Sequence, residues 1–318
     1  MEELRTEVQG SIPKTGPGTY VKPGGLIDEG IELIDLDREL TALEARLAAI
    51  QTFQDPGRRF LLFDPTGDGR VAEVFGPIGS ADHIALVIPG MNNDIENFSQ
   101  PAGNARRLLS AADDFARGEV ATIAWLGYDT PTAKDVLFAD KAVAGAALLD
   151  DFVDGLNFEQ LVHVTGVAHS YGGVVQGLSL REGLDIDDAV FIGNPGVGPH
   201  INHVDDLGTE SRVWAARAPL YRADAPELDD IAAILEGRSL EVAAEELYET
   251  VVSSEFVPLG PLGKSPAADD FGATRFHTDG SDPDVEVRGH SAYFRTGSES
   301  LRNMGAIVSG NPDAVTRY

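Results

Sequence analysis

The 318-residue sequence has no cysteine, so neither a disulfide framework nor a thiolate metal site is open to it. Basic residues are scarce, with 24 Lys and Arg against 52 Asp and Glu, for a formal net charge of −28. A surface of that sign repels phosphate backbones, which excludes nucleic acid as an expected partner. The acidic residues are spread along the chain rather than gathered in a tail, the pattern of a solvated surface. No stretch approaches the roughly 18 uncharged apolar residues of a membrane helix. Met1-Glu2-Glu3-Leu4-Arg5 lacks the basic start and apolar run of a secretory signal. The expectation is a soluble, cytoplasmic protein with no membrane span. What remains, 42% hydrophobic residues including 14 Phe and 7 Tyr, can fill a sizeable core.

Residues 1–27 are rich in Gly and Pro and read as an irregular arm. Leu33, Leu36, Leu40, Leu43, Leu47 and Ile50 then recur at alternating intervals of three and four, one apolar stripe on a helix. Such a stripe docks on the parent domain or, being also a heptad seam, joins two copies into a homo-oligomer. The domain boundary is expected at 56/57, with residues 57–318 as one domain. Phe60–Phe63 and Val71–Phe75 flank Asp64-Pro65-Thr66-Gly67-Asp68-Gly69, a hairpin signature. Asp64 and Asp68 faintly suggest a calcium loop, but its twelve-residue ligand pattern is missing, so a turn is expected and no metal.

Strands and helices alternate from there. Apolar runs at His83–Ile88, Val120–Trp125, Leu161–Val167, Ala189–Gly193 and Arg212–Ala216 are separated by helical stretches at Asn104–Ala116, at Ala139–Leu149 and from Gly173. That order means βαβ units, hence an α/β fold with a mainly parallel sheet and helices on both faces. Two further helical stretches, Glu227–Glu236 and Leu240–Glu249, interrupt the alternation. They predict a lid-like insertion at about 225–263, or a peripheral decoration.

Ser170, in Ala168-His169-Ser170-Tyr171-Gly172, lies between a predicted buried strand and a predicted helix. Small residues two before and two after let strand and helix approach, while the serine takes a strained conformation that lifts its hydroxyl above the sheet. This is the signature of a nucleophile elbow, with Ala168 in place of the usual glycine. Acyl transfer also needs oxyanion donors. One is expected from the backbone N–H of Tyr171. The other is expected from Pro89-Gly90-Met91-Asn92-Asn93, where Gly90 would aim the Met91 amide inward, although a plain turn also explains Pro-Gly. Gly90, Asn92 and His169 are the candidate substrate contacts.

Of seven histidines, His83 and His163 fall in or beside strands upstream of the serine, and His169 sits within the elbow. His200, His203 and His277 follow, and His290 comes last, before a C-terminal helix. The order Ser, acid, His selects His290 over His277 as the base. The acid is expected after a late strand. Asp224 is the first carboxylate there, with Asp229 and Asp230 nearby and Asp205 or Asp206 after the preceding strand.

Val87-Ile88-Pro89-Gly90-Met91-Asn92, Ala124–Asp129, His169-Ser170-Tyr171-Gly172, Asn194-Pro195-Gly196, Asp270–Ala273, Gly289–Tyr293 and Ser298–Met304 together resemble the α/β-hydrolase family catalogued as DUF1023, common in actinobacteria. The likeness runs in order from about Gly76 to Gly310. It implies an α/β-hydrolase fold, Ser170 and His290 in the triad, and Gly90 and Met91 near the oxyanion hole. Ala168 departs from the family's glycine, and the family's acid falls nearer the position of Tyr221 than Asp224. The expected function is hydrolysis of a small-molecule carboxylic ester, with an acyl or hydrophobic substrate, through an acyl-enzyme and without a cofactor. The alternatives are an amidase or acyltransferase with the same residues, or a hydrolase-fold binding protein without activity.

Overall fold

Continuous apolar runs belong to strands covered on both faces, and among the described residues they assemble into one eight-stranded sheet. The computed structural model describes residues 40–132, 135–136, 138–157, 161–218, 262–278 and 292–318. The chain divides into two units, Met1–Asp55 and Pro56–Tyr318. In the first unit, residues 40–52 form helix α1, on which Leu43 and Leu47 are exposed while Phe53 just beyond is buried. Leu40 starts the helix and is half-buried, whereas Leu33, Leu36 and the irregular arm lie outside the described residues.

The second unit begins with β1 (Phe60–Asp64) and β2 (Arg70–Phe75), an antiparallel pair closing with Asp64 opposite Arg70. The Asp64 carboxylate accepts from the Thr66 N–H (2.9 Å) and hydroxyl (2.7 Å), and these bonds hold its carboxyl below the usual value. The turn consumes the side chain that hinted at a cation.

There follow β3 (His83–Ile88), α2 (Ser99–Asp113), β4 (Val120–Leu126), α3 (Asp140–Gly155), β5 (His163–His169), α4 (Gly172–Glu182), β6 (Asp188–Ile192), β7 (Arg212–Ala216), β8 (Thr274–Arg275) and α5 (Glu299–Val308). The spatial order is β1-β2-β4-β3-β5-β6-β7-β8, and every pairing from β4 to β8 is parallel. Helix α3 packs on α4 and α2 on α5. The core on the α3/α4 side gathers Leu86, Ile123, Trp125, Phe191, Ala146, Leu149 and Leu178. Helices therefore cover both faces, as the alternating sequence pattern requires.

Several boundaries differ from the sequence expectation, among them an end of α2, α3 and β5. Helix α2 starts at Ser99 rather than Asn104, because Pro101 falls in its first turn, where a missing N–H costs no intrahelical bond. Helix α3 continues to Gly155 rather than stopping at Leu149. Strand β5 starts at His163, where pairing begins with the His163 N–H donating to Asp82 O and the Val164 N–H to the Asp187 carboxylate. Leu161 is apolar but fully exposed. All but the last two residues of the expected insertion at 225–263 lie outside the described residues. Among the described residues no helix is long and apolar enough to cross a membrane.

Candidate active site

Strands β3 and β5 are neighbours in parallel register, with Ile88 opposite Ala168, so the chain segments leaving their carboxyl ends emerge side by side. The segment leaving β5 turns at Ser170 and enters α4 at once. Ser170 has φ of +58°, a left-handed conformation that disfavours any residue with a Cβ by about 1–2 kcal/mol. Its backbone is held from both sides. Its N–H donates to Ile192 O at 3.1 Å, and its carbonyl accepts from the Gly173 N–H at 3.0 Å and from Asn194 Nδ2 at 2.6 Å. A strained residue persists when its surroundings over-determine it, and this one is buried, with both backbone polar groups satisfied. Ala168 is also buried, its methyl accommodated in the core on the α3/α4 side.

The loop leaving β3 reaches the same point. A Cβ on Gly90 would fall 2.6 Å from Ser170 Cβ, 2.8 Å from its Oγ and 3.1 Å from the Tyr171 nitrogen. Only glycine allows that approach. At Gly172 a Cβ would fall 2.6 Å from Ile88 O, which explains the small residue after the serine. The loop itself is tied down. Tyr128 donates its hydroxyl to Pro89 O (2.8 Å), and the Thr130 hydroxyl accepts from the Asn93 N–H and donates to Asn93 O. Asn93 donates to Met91 O and Gly90 O, and Asn92, exposed and at φ +54°, donates its N–H to Pro131 O. Among the described residues, neither the Tyr171 nor the Met91 backbone N–H donates to a protein acceptor. Two amides beside one serine hydroxyl can hold a developing oxyanion.

The side chain of Tyr171 points elsewhere. Its hydroxyl donates to Phe138 O (2.5 Å) and accepts from the Ala142 N–H (3.3 Å), anchoring the start of α3 to the elbow. Burial pushes this phenol above its usual value, so it stays neutral. His169 is half-buried, its ring centroid 5.9 Å from that of Tyr293, whose hydroxyl accepts from the Ala218 N–H. The chain carrying Tyr293 and the end of β7 therefore meet beside the elbow.

The expected base and acid, His290 and Asp224, lie outside the described residues, as do Asp229 and Asp230. The other candidates are placed elsewhere. The Asp206 carboxylate accepts from the N–H groups of Asn202 and His203 and caps the short helix Val204–Leu207, on which Asp205 lies exposed. The ring of His277 stacks on Tyr318. His83 and His163 begin β3 and β5, at the opposite end of the sheet from Ser170. Asn194, Tyr128 and Thr130 received no role from the sequence. Each acts through a contact more than 20 residues away along the chain.

The family model described as Alpha/beta hydrolase matches residues 64–227. An uncharacterized protein of Mycobacterium tuberculosis is 30% identical over 276 residues, 80% of this chain, and the chain spans only 39% of that relative's length. An uncharacterized protein of Mycobacterium bovis is 32% identical over 209 residues, covering 60% of this chain and 76% of the relative. Among solved structures, a thermostable carboxylesterase cloned from a metagenomic library is similar at 15% identity and TM-score 0.36, covering 87% of this chain and 96% of that one. An esterase of Pyrobaculum calidifontis is similar at 13% identity and TM-score 0.36, covering 98% of each chain. With the family model extending from the β1–β2 hairpin through the Ser170 turn and beyond, the chain belongs to the alpha/beta hydrolase family.

Proposed function

We propose that the protein is a serine hydrolase that cleaves carboxylic esters through an acyl-enzyme on Ser170. One observation carries the reading: a buried serine in left-handed conformation at a strand-to-helix turn, with the Gly90 loop against its hydroxyl. In this mechanism Ser170 Oγ attacks the ester carbonyl as His290 takes its proton. The Tyr171 and Met91 amides hold the oxyanion, and the departing alcohol takes the proton from His290. His290 then takes a proton from a water as it attacks the acyl carbonyl, and gives that proton to Ser170 Oγ as the acyl–oxygen bond breaks, returning free Ser170 and a carboxylic acid. Asp224 orients the imidazole. Gly90, Asn92 and His169 line the substrate. No metal or organic cofactor enters.

An acyl or otherwise hydrophobic substrate is supported by Phe138, 57% exposed although its carbonyl is bonded to the elbow tyrosine, and by the apolar Met91. The ordered motifs from Gly76 to Gly310 support placement within the DUF1023 group. Exposed Leu43 and Leu47 support assembly of two copies through α1. A truncation starting at Gly57 that kept the full-length oligomeric state on size exclusion would reject that role.

The test of function is turnover of p-nitrophenyl esters of increasing acyl length by the wild type and by Ser170→Ala. Wild-type turnover that rises with chain length and vanishes in Ser170→Ala is expected. Equal residual turnover in both proteins would reject the proposal.

A further inference from the structure

Asn194 follows β6 and Gly193, and it is buried although polar. Its side-chain amide donates to two main-chain carbonyls of the elbow, Ser170 O at 2.6 Å and Ala168 O at 3.3 Å. Both lie at the carboxyl end of β5, where the chain stops being strand and Ser170 turns left-handed. Room for the amide is made by Gly173, where a Cβ would fall 2.0 Å from Asn194 Nδ2. Main-chain contacts fix the base of the clamp. The Gly193 N–H donates to Ala216 O at 3.1 Å, and the Ser265 hydroxyl to Asn194 O at 3.2 Å.

The other half of the amide is unused. Among the described residues Asn194 Oδ1 is buried with no hydrogen-bond partner. A buried acceptor left unpaired is unfavourable, so stability alone would select a smaller or apolar side chain at this position. The donor half is what the site uses. With it, Ser170 is bonded at its N–H by β6 and at its carbonyl by the loop that follows β6, leaving the turn little freedom to rotate.

We infer that Asn194 is a positioning residue: its amide locks the Ser170 turn so that the hydroxyl meets an ester carbonyl at the angle set by the Gly90 loop. The inference rests on Ser170 being the nucleophile and deepens that reading. Small displacements of a reacting group cost about a hundredfold in rate, which sets the scale of the effect.

The experiment measures p-nitrophenyl ester turnover per active site, with sites counted by fluorophosphonate titration, for wild type, Asn194→Ala and Asn194→Asp. Counting sites separates misplacement of the serine from a fall in folded fraction. Asn194→Ala is expected to lose roughly 10- to 100-fold in kcat per titrated site with KM little changed. Asn194→Asp can donate only when protonated, so its kcat is expected to fall with rising pH through a step that wild type and Asn194→Ala both lack. A folded Asn194→Ala with wild-type kcat per titrated site would overturn the inference. So would failure of both variants to fold, which would assign the amide to the fold instead. If the wild type takes up no fluorophosphonate, the nucleophile reading itself fails and the inference goes with it. Labelling of wild type and Asn194→Ala at equal rates removes the inference alone.

Discussion

The two ends of the parallel sheet make an instructive pair. At the amino end, four strands begin with groups that look catalytic: His83 on β3, His163 on β5, Asp188 on β6 and Arg212 on β7. Asp188 is fully buried, and its carboxylate meets Arg212 at 2.6 Å, Trp214 Nε1 at 2.7 Å and His163 Nε2 at 2.8 Å. The rings of His83 and His163 meet edge to face at 5.6 Å. At the carboxyl end sits a serine with a left-handed backbone, two amides that donate to no acceptor among the described residues, and a loop whose glycine leaves no room for a Cβ beside its hydroxyl. In the first cluster the Asp188 carboxylate is matched by its neighbours, while among the described residues His83 Nδ1 is buried without a hydrogen-bond partner. The second holds strain and unpaired donors, which have value only when something else arrives. Seven residues of β5 separate the two ends, about 20 Å of strand.

The largest expected effect lies at the carboxyl end. Ser170→Ala should lower ester turnover by about 10⁴- to 10⁶-fold with little change in melting temperature, checked by esterase assay and calorimetry. Gly90→Ala comes next. Its methyl would press on Ser170 Cβ, Ser170 Oγ and the Tyr171 nitrogen, so kcat/KM should fall roughly 10²- to 10³-fold, the range for a spoiled oxyanion site. A Gly90→Ala variant with full activity would break the contrast, because the loop would then be an ordinary turn.

Asp188→Ala should do the opposite at the amino end. It strands Arg212, His163 and Trp214 around a buried void and should cost about 3 kcal/mol, the low end for breaking a buried pair because Arg212 is half exposed. The melting temperature should drop on the order of 10 °C, with activity per titrated site preserved. Loss of activity per site would mean that the two ends are coupled.

The smallest effect is in pH. Burial, followed by the neighbouring His163, holds His83 below the usual imidazole value, against an upward pull from Asp82. The unfolded chain therefore takes up this proton first, and stability should begin to fall as pH drops below about 6.5. Burial would raise the Asp188 carboxyl, but bonds from His163, Arg212 and Trp214 outweigh it and hold the group below its usual value. Its contribution is present above about pH 4 and is lost as pH falls further. His83→Gln should flatten the first decline of melting temperature and leave the second. An unchanged first decline would assign it to other groups.

The contrast also shows what a sequence can carry. Both expected elements around Ser170 were legible because strand, small residues and helix follow one another within a dozen positions. The Gly90 loop was legible as the end of a continuous apolar run. Asn194 was visible only as part of a motif, since its partners lie 24 and 26 residues upstream and no periodicity links them. The same holds for the Asp188 cluster, assembled by register between strands that are distant in sequence. Leu161 misleads in the other direction, because an apolar residue next to a strand need not be in it. Local order is readable from spacing, whereas the groups that fix an active conformation reach it across the sheet.

The central claim is that chemistry belongs to the strained serine at the carboxyl end. It is tested most directly by mapping the adduct of a fluorophosphonate on the folded wild-type protein by mass spectrometry. A single adduct on Ser170 is expected, absent from Ser170→Ala. No adduct, or an adduct elsewhere in the chain that persists in Ser170→Ala, would contradict it.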